Sequence, residues 1–424
     1  MSTPVLRLGI LGATAAVEST FLPVIHSLPA HFSLTIIYDP NQDAAQRCQR
    51  RYNIAHSTAA ADIVLAHPEV DLVLNLLPFE YHEPYTIAAL EAGKHVMVEV
   101  PLSLSIQGLR RIHAATKKGL AARTTTTTTT ASEPKVFIGC ARRYAPCFTD
   151  VFKPEVARLD RIYYARCRNI AGPPSIPAPR PSADSTSAPD GVSAHDTPAG
   201  VNGVSSASRF HALLADVFGA EEDLTPDRVA FCRFLGNLGC HDLSVMREAL
   251  GFPDAVASVA ITDPFYLAIF HYTDDSVSGN GHQFTVLYEA GVDALPRCDA
   301  SLTVYGPNRT VSIEYDFPCP GEVGCQKAVR VVVEEAEMEE TSEGVADGNG
   351  DGVGVVRPRV KRTETVSSCE ETYAREFLAL HSYLVGGETT AKTTAADALI
   401  DLRLLHLIFA HYERQCGTIR TPLG

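Results

Sequence analysis

The chain lacks the clustered positive charge that a nucleic acid or an anionic membrane attracts. Its 36 Lys and Arg residues stand against 50 Asp and Glu residues, which gives a net charge of −14. This balance predicts no nucleic-acid partner. No apolar run is long enough to cross a bilayer, and the apolar start at Val5–Gly12 leads into a glycine turn instead of a signal peptide. We therefore expect a cytoplasmic protein without a membrane partner.

Cysteine pairs with the spacing of a redox motif are also missing. The eleven cysteines are scattered along the chain, and no two of them form a C-x-x-C pair. A disulfide framework would use an even and regularly spaced set. The odd, scattered set indicates free thiols in a reducing compartment.

The first third of the chain alternates strands with helices. Val5–Gly12 is a strand that ends in glycine, and Val70–Leu77 is a nearly continuous apolar run, as strands buried on both faces require. Further strands are predicted at Ser33–Asp39, His95–Glu99 and Val136–Gly139, and helices at Gln42–Tyr52, Tyr85–Ala92 and Ile106–Lys117. This alternation predicts an α/β fold with a Rossmann domain, a doubly wound parallel sheet, over residues 1–141.

Residues 142–424 show a different pattern. The range Ala255–Tyr315 holds alternating strands with short turns, including a hairpin around Gly306–Asn308. Helices are predicted at Val229–Leu250, Tyr373–Leu384 and Ala395–Gln415, the last with Thr394 as its N-cap. These elements predict a C-terminal α+β domain with a mostly antiparallel sheet.

Three segments have compositions that cannot bury enough apolar surface to fold. Thr124–Thr130 is a run of seven threonines, residues 171–208 are rich in Pro, Ser, Ala and Gly, and residues 337–354 are acidic and rich in Gly. We expect all three to be disordered surface loops inserted into the fold.

The stretch GILGAT at residues 9–14 lies between the first predicted strand and the helix that follows. In a dinucleotide-binding fold, the backbone N–H groups of such a turn and the helix N-terminus bind the pyrophosphate. Gly12 is present, but Thr14 and Val17 replace the later glycines of G-x-G-x-x-G, so the pattern alone is equally compatible with a structural turn. The candidate cofactor-binding residues here are Gly9, Gly12, Ala13 and Thr14.

Asp39 ends the second predicted strand, where an acidic side chain accepts hydrogen bonds from the adenosine ribose hydroxyls. No arginine directly follows it, since the next residues are Pro40, Asn41 and Gln42, and this favours NAD over NADP. The alternative is that Asp39 only forms a turn with its neighbours. We expect NAD or NADP as the cofactor, with NAD favoured.

Four short motifs follow one another along the chain. Each resembles a motif of the Gfo/Idh/MocA oxidoreductases. Pro78–His82 resembles P-x-x-x-H, and GKHVMVEVPL at residues 93–102 resembles G-K-H-V-x-x-E-K-P. Gly139–Pro146 resembles G-x-x-x-R-[FY]-x-P, and Gly239–Asp242 resembles G-x-H-D. Their order and spacing hold outside the three insertions, and the resemblance is strongest to fungal members.

The resemblance implies a nicotinamide bound between the two domains and the oxidation of a sugar, inositol or related alcohol, or the reverse reduction. Family members use the lysine of E-K-P together with the aspartate and histidine of D-x-x-x-H. Here Val100 stands at the lysine position and Asn237 at the aspartate position, so one proton donor and one charge are missing. His241 is retained as the candidate acid/base, with Asn237 as a hydrogen-bonding partner.

The neighbouring residues complete the candidate site, for which no metal is expected. Tyr144 is a candidate phenol donor in place of the lysine, or a packing aromatic. One of Arg142 and Arg143 is expected to bind the substrate, and the other to be a surface charge. The resemblance also places five residues at the cofactor: Leu77, Pro78, His82, Glu99 and Pro101. His82 alternatively caps its helix, and Glu99 and Pro101 alternatively shape only the turn at the strand end.

Two functions remain open at this point. The first is an NAD(P)-dependent oxidoreductase acting on a sugar, polyol or secondary metabolite. The second is a non-catalytic dinucleotide-binding regulator or partner protein, because Val100 and Asn237 are changes that relaxed selection on catalysis leaves behind. Both predict a small-molecule ligand, and the C-terminal sheet is a candidate surface for a homodimer.

Overall fold

The computed structural model describes residues 4–126, 133–172, 204–219, 224–274, 281–295, 298–315, 328–341, 355–386 and 391–416. Within these ranges the chain forms two sheets with helices packed against them. None of the helices described combines the length and the apolar composition that a membrane-spanning segment needs.

Six parallel strands form the first sheet. They are β1 (Leu6–Leu11), β2 (Phe32–Tyr38), β3 (His56–Thr58), β4 (Leu72–Asn75), β5 (His95–Glu99) and β6 (Val136–Gly139). Their spatial order is β3-β2-β1-β4-β5-β6, so the direction of progression reverses between β1 and β4. In doubly wound sheets such a reversal opens a crevice at the carboxyl ends of the strands, where ligands bind.

Helices cover both faces of the first sheet. They are α1 (Leu22–His26), which continues a π-helical turn at Val17–Phe21, α2 (Gln42–Tyr52), α3 (Ala61–Ala66), α4 (His82–Glu91) and α5 (Ile106–Thr126). Helices α1 and α2 pack on the face that carries Leu8 and Ile10. Helices α3, α4 and α5 pack on the opposite face, against Val73 and Val98. The apolar side chains on both faces of the strands are what this two-sided cover requires.

Eight strands form the second sheet. They are β7 (Tyr164–Ala171), β8 (Ala255–Thr262), β9 (Phe265–Asp274), β10 (His282–Val292), β11 (Cys298–Tyr305), β12 (Arg309–Tyr315), β13 (Val329–Thr341) and β14 (Val355–Ser367). Their order is β14-β13-β12-β11-β7-β10-β9-β8. All neighbours run antiparallel except β7 and β10, which run parallel.

The remaining helices connect the two sheets. They are α6 (Ala141–Tyr144), α7 (Lys153–Ala157), α8 (Ser206–Phe218), α9 (Pro226–Phe234), α10 (Cys240–Leu250), α11 (Cys369–Val385) and α12 (Ala395–Cys416), with π-helical turns at Phe148–Phe152 and Leu235–Gly239. Helices α8, α9, α10 and α12 pack against the second sheet. Helix α11 returns to the first sheet and buries Phe377 and Leu380 there. Ile138 then donates a backbone hydrogen bond of 2.9 Å to Thr393, which extends the edge of β6.

The predicted fold class is confirmed, with a parallel sheet first and a mostly antiparallel sheet after it. The bounds of α2, β5 and β6 agree with the sequence prediction, and Thr394 caps α12 by accepting a hydrogen bond from Asp397 N–H at 3.4 Å. The short elements β3 and α3 were not predicted. They span too few residues to show a periodic pattern.

The limits of the predicted insertions need correction. Helix α5 continues to Thr126, and β13 continues to Thr341, because the acidic stretch at its end pairs with β14. Ala171 belongs to β7, and Ser206 begins α8. The rest of the threonine run, residues 173–203 and residues 342–354 lie outside the described residues.

Candidate functional site

The site begins at the turn after β1, where Gly12 has a backbone φ of +105°. A side chain is strained in this conformation, and a Cβ atom at Gly12 would lie 2.9 Å from the carbonyl oxygen of Leu76. The Gly12 N–H donates a hydrogen bond of 2.8 Å to Tyr38 O, which fixes the turn against the end of β2. Glycine is therefore required at this turn both by its φ and by the close approach of β4.

Asp39 connects this turn to the end of β2. Its Oδ2 accepts a hydrogen bond of 2.7 Å from Ala13 N–H, and its Oδ1 accepts one of 2.8 Å from Asn41 N–H. The residue is only 9% exposed. Asp39 is thus a rigidly held acceptor at the carboxyl edge of the sheet, directly beside the glycine turn.

Thr14 begins the helical segment that leads into α1. Its side-chain Oγ1 accepts a hydrogen bond of 3.3 Å from Val17 N–H, and its carbonyl oxygen accepts one of 3.0 Å from Glu18 N–H. The positive end of this helical segment therefore lies at the turn, where a negatively charged group is stabilised.

A cleft with a volume of about 270 Å³ opens at these residues. Its walls come from the turn after β1, from the β2–α2 connection, from the end of β4 and from α8. Six of the predicted cofactor residues line it, namely Gly12, Ala13, Thr14, Asp39, Leu77 and Pro78. The cleft lies at the β1/β4 reversal, where the sheet topology places a ligand.

Gly9 does not lie in this cleft, which corrects the sequence-based assignment. A Cβ atom at Gly9 would meet Val64 Cγ1 at 2.7 Å and Val70 Cγ1 at 3.1 Å. Gly9 instead lets α3 pack closely against β1, which is a structural role.

Eight residues that line the cleft were missed in the sequence, and they include Arg47, Tyr81 and Ser206. Arg47 comes from α2, Tyr81 from the turn before α4, and Ser206 from the N-terminus of α8. Tyr81 donates a hydrogen bond of 2.8 Å to Val204 O, and Ser206 donates one to Glu80, so the start of α8 is tied to this wall. Ser206 was missed because it lies in a stretch whose composition predicted a loop.

His82 is buried behind the cleft wall and joins the ends of two strands. Its Nε2 lies 2.8 Å from Leu77 O, and its Nδ1 lies 2.8 Å from Pro101 O. Burial lowers the pKa of His82, while the contacts with the Pro101 and Leu77 carbonyl oxygens act in the opposite direction. Both carbonyl oxygens are acceptors, so a neutral ring donates a hydrogen bond to one of them and lies close to the other. The side chain therefore holds the β4 and β5 ends together, and it has no ring nitrogen left for a cofactor.

Glu99, at the end of β5, forms a buried acidic pair with Glu376 of α11. Burial raises the pKa of Glu99 to about 7, and burial together with the charge of Glu99 raises the pKa of Glu376 well above its ordinary value. Glu376 Oε1 accepts a hydrogen bond of 2.6 Å from Cys140 N–H. Among the described residues, Glu99 Oε1 and Glu376 Oε2 have no hydrogen-bond partner. The hydrogen bond from Cys140 N–H to Glu376 ties α11 to the end of β6.

His241 and Asn237 lie one helical turn apart on the segment that leads from α9 into α10. Asn237 is exposed, and His241 is partly exposed. The pKa of His241 is lowered to about 3, mainly by burial and then by the positive charge of Arg142 and by His82. His241 is thus a neutral imidazole close to the side chain that joins the β4 and β5 ends.

Val100 contributes no polar group to the site. Its side chain is buried and lines a closed cavity of about 20 Å³ together with Cys240, Leu243 and Asp401. The position that carries a lysine in the E-K-P motif is therefore packed among mostly apolar atoms beneath α10 and α12.

Arg142 is partly exposed and forms a buried ion pair with Asp242, 2.6 Å from Nη1 to Oδ1. Asn169 Nδ2 also donates to Asp242, at 2.8 Å, and the Arg142 guanidinium lies 5.1 Å from the centre of the Tyr315 ring. Burial alone would lower the pKa of Arg142, but Asp242 raises it above its ordinary value. Arg142 is a fixed cation beside His241.

Arg143 is placed away from the cleft and is not a surface charge. It is 3% exposed and forms ion pairs with Glu248, at 2.5 Å, and with Asp397. Burial alone would raise the pKa of Glu248, but Arg143 and Lys392 lower it to about 2. Arg143 therefore ties α6 to α10 and α12.

Tyr144 is also turned into the structure. Its hydroxyl lies 2.6 Å from Thr393 Oγ1, its ring packs 5.8 Å from the Phe137 ring, and the residue is 6% exposed. Burial raises the pKa of Tyr144 far above its ordinary range. This environment matches the packing alternative and does not bring the phenol to His241.

The N-terminal part of the chain matches a known family. Residues 6–124 match the sequence model described as the oxidoreductase family with an NAD-binding Rossmann fold. This match supports the expected resemblance to the Gfo/Idh/MocA oxidoreductases for the N-terminal part of the chain. The expected likeness to fungal members stays a prediction. Among the described residues, no cluster of three or more His, Cys, Asp or Glu side chains could hold a metal ion.

Two curated relatives are similar to part of this chain. The chain is 28% identical over 169 residues to an inositol 2-dehydrogenase of Paracoccus denitrificans, which covers 39% of this chain and 46% of the relative. It is 30% identical over 116 residues to a dTDP-3,4-didehydro-2,6-dideoxy-alpha-D-glucose 3-reductase of Streptomyces violaceoruber. This match covers 27% of this chain and 33% of the relative. The matches thus span less than half of the length of these relatives.

Solved structures of two other proteins share the fold. A 3-ketoreductase from Actinomadura kijaniata, solved with NADP and TDP-benzene, superposes with a TM-score of 0.61 at 15% identity. The superposition covers 96% of this chain and 98% of that chain. An oxidoreductase structure from Bacillus subtilis gives a TM-score of 0.60 at 13% identity, with 98% of both chains covered. These likenesses support the two-sheet architecture.

Proposed function

We propose that the protein is an NAD(P)-dependent oxidoreductase that transfers hydride between the nicotinamide and a carbon bearing a hydroxyl or carbonyl group. The observation that carries this proposal is the cleft at the β1/β4 reversal, formed by the Gly12 turn and Asp39. The match of residues 6–124 to a family model of oxidoreductases with an NAD-binding Rossmann fold supports it.

The residues present fit a dinucleotide. Glycine at position 12 lets the turn pack closely against Leu76 O, and the cleft beside the turn leaves room for a phosphate. The N–H groups that follow Gly12 would hold the pyrophosphate, and Asp39 would accept hydrogen bonds from the adenosine ribose. We propose NAD(H) as the favoured cofactor because no arginine directly follows Asp39. A bound nicotinamide supplies or accepts the hydride.

His241 is the proposed proton-transfer residue. The imidazole is neutral at physiological pH, the form that can accept a proton from a substrate hydroxyl, while its pKa of about 3 in the free protein makes it a weak base. Arg142 would stabilise negative charge on the substrate oxygen, because its guanidinium is fixed by Asp242 and remains partly exposed. Asn237, one turn before His241, would orient the substrate by hydrogen bonds. Because Val100 stands at the lysine position of the E-K-P motif, these residues would act without a lysine side chain.

We propose a sugar, a polyol or a related secondary metabolite as the substrate. The names of the relatives support this class, since one is an inositol dehydrogenase and another reduces a keto group of a nucleotide-linked sugar. We further propose that the cofactor is bound mainly by residues 1–141 and the substrate mainly by residues 142–424. The protein would act in the cytoplasm, and the outer face of the second sheet would form a homodimer.

The experiment is a turnover assay with NADH, NADPH and their oxidised forms against panels of sugars, polyols and ketones. We expect activity with at least one substrate, and a loss of about 10²–10⁴-fold in kcat for His241→Ala with cofactor binding retained. An inactive wild-type protein over broad panels, together with a His241→Ala variant that behaves like it, would contradict catalysis.

A non-catalytic dinucleotide-binding protein is the second candidate, favoured by the buried apolar setting of Val100. It predicts cofactor binding without turnover. Val100→Lys is the discriminating variant, with Val100→Met as the control for side-chain length. A gain of dehydrogenase activity in Val100→Lys alone, from an inactive wild type, would favour a site that has lost its chemistry.

A further inference from the structure

Arg47 lies in the candidate cofactor cleft although it is far from the glycine turn in sequence. It is carried by α2, one helical turn after Ala44, and both residues line the cleft beside Asp39. Arg47 is exposed, and none of the described residues forms an ion pair or a hydrogen bond with its guanidinium. Among the described residues that line this cleft, it is the one that carries positive charge.

The other polar groups at this end of the cleft are already engaged. Each oxygen of Asp39 accepts one backbone hydrogen bond, from Ala13 or from Asn41. The first N–H groups of α2, those of Asp43 and Ala44, donate to Asn41 Oδ1 at 3.1 and 3.3 Å. The helix end therefore offers few unused donors, and Arg47 is the group whose hydrogen-bonding capacity is left for a ligand.

The class of ligand follows from the position. An acidic residue at the end of β2 binds the ribose hydroxyls of NAD, and an arginine nearby accommodates the 2′-phosphate of NADP. A guanidinium forms two parallel hydrogen bonds to a phosphate, which an ammonium cannot do. The hydrogen bonds from Ala13 and Asn41 stabilise the negative charge of Asp39, so a bound phosphate would need the positive charge of Arg47 to offset the repulsion from this carboxylate.

We propose that Arg47 is a specificity residue that binds the 2′-phosphate of NADP(H), so that the cleft accepts NADP(H) as well as NAD(H). This inference rests on the proposed function, because it assigns the second cofactor to the same cleft. It extends the expectation from the sequence, which considered only the residues directly after Asp39. The α2 helix brings to that position an arginine that lies eight residues further along the chain.

The test is a titration of the full-length protein with NADH and with NADPH, followed by cofactor fluorescence. The variants are Arg47→Ala and Arg50→Ala, where Arg50 is an exposed arginine of α2 outside the cleft lining. We expect Arg47→Ala to weaken NADPH binding about 10-fold and to change NADH binding less than about twofold, as loss of one charge-assisted contact predicts. Arg50→Ala should match wild type with both cofactors.

Added salt gives a second readout. Wild-type affinity for NADPH should fall more steeply with salt than that of Arg47→Ala, since the pair between charged groups is screened. Equal weakening of NADH and NADPH in Arg47→Ala, no effect of the substitution, or a wild type that binds NADH alone would each overturn the assignment to Arg47. A wild type that binds neither cofactor would instead contradict the proposed function.

Discussion

The sequence keeps the expected residues at one end of the candidate site and replaces two of them at the other end. At the Gly12 end, the positive φ of the glycine, the hydrogen bond from Ala13 N–H to Asp39 and the capped helical segment after Thr14 together form the turn that we propose binds a dinucleotide. At the other end, near His241, the lysine position holds a buried Val100 and the aspartate position holds an exposed Asn237.

The difference reflects which atoms each end depends on. The Gly12 end relies on backbone N–H groups and one carboxylate, so it tolerates Thr14 and Val17 at positions where other members of the fold use glycine. The other end relies on side chains that move protons, and each substitution there removes a specific chemical group. A protein can therefore keep the geometry for a cofactor while its acid/base chemistry changes.

The largest expected effect concerns Arg143, which the structure assigns to stability. Arg143→Met removes the buried guanidinium, while Glu248 keeps Lys153 and Lys392 and Asp397 keeps Arg247. We therefore expect a loss of about 3 kcal/mol in the free energy of unfolding, at the low end of what breaking a buried ion pair costs. Urea denaturation measures this loss. Arg143→Lys, which keeps the charge, should lose less. An Arg143→Met variant with normal stability and weakened substrate binding would indicate that Arg143 binds the substrate.

A smaller effect concerns the acidic pair of Glu99 and Glu376. Because burial raises the pKa of Glu99 to about 7, the folded protein keeps a proton that the unfolded chain releases near pH 4.5. The contribution of this group to stability is thus complete below pH 4.5 and is lost as the pH rises toward 7, by about 1.4 kcal/mol per pH unit.

Glu99→Gln removes this titration. Its free energy of unfolding, relative to wild type, should therefore increase between pH 4.5 and pH 7. Denaturation curves at several pH values measure the difference. Glu371→Gln, at an exposed position of α11, is the matched control and should follow wild type. If the free energy of unfolding of Glu99→Gln depends on pH in the same way as that of wild type, Glu99 does not keep a proton in the folded protein.

The smallest effect concerns Tyr144. Tyr144→Phe removes the buried hydrogen bond to Thr393 and should lower the free energy of unfolding by about 1 kcal/mol. Turnover per molecule of folded protein should be unchanged, because the hydroxyl does not face the cleft. Thr393→Val, which removes the other partner, should cost a similar amount. A fall of about 100-fold in the kcat of Tyr144→Phe would indicate that the Tyr144 phenol donates a proton in the reaction.

The fold could be predicted well because its signals are local and periodic. The apolar runs of β4 and β5 and the polar helix α2 identified the parallel sheet, and Gly12 with Asp39 identified the binding turn. Both residues lie beside strand ends, and a doubly wound topology brings such ends together at one edge. Asp39 was predicted at the end of the second strand beside the glycine turn, and its contact with Ala13 N–H places it there.

The side-chain roles near His241 could not be predicted in the same way. Whether Arg142 or Arg143 faces the cleft depends on α10 and α12, which supply their carboxylate partners from distant parts of the chain. Ser206 and Arg47 reach the cleft because helices carry them there, and no short motif marks either residue. Burial of Tyr144 similarly depends on Thr393, which is remote in sequence.

Titration of the purified protein with NADH, compared with the Gly12→Val variant, tests the central claim most directly. Wild type should bind with a micromolar dissociation constant. Gly12→Val should bind about 100-fold more weakly, because a branched side chain meets Leu76 O and strains the turn. Gly251→Ala, at a glycine of positive φ with open space around it, controls for backbone strain alone. No association of the wild-type protein with NADH or NADPH at millimolar concentration would contradict the account.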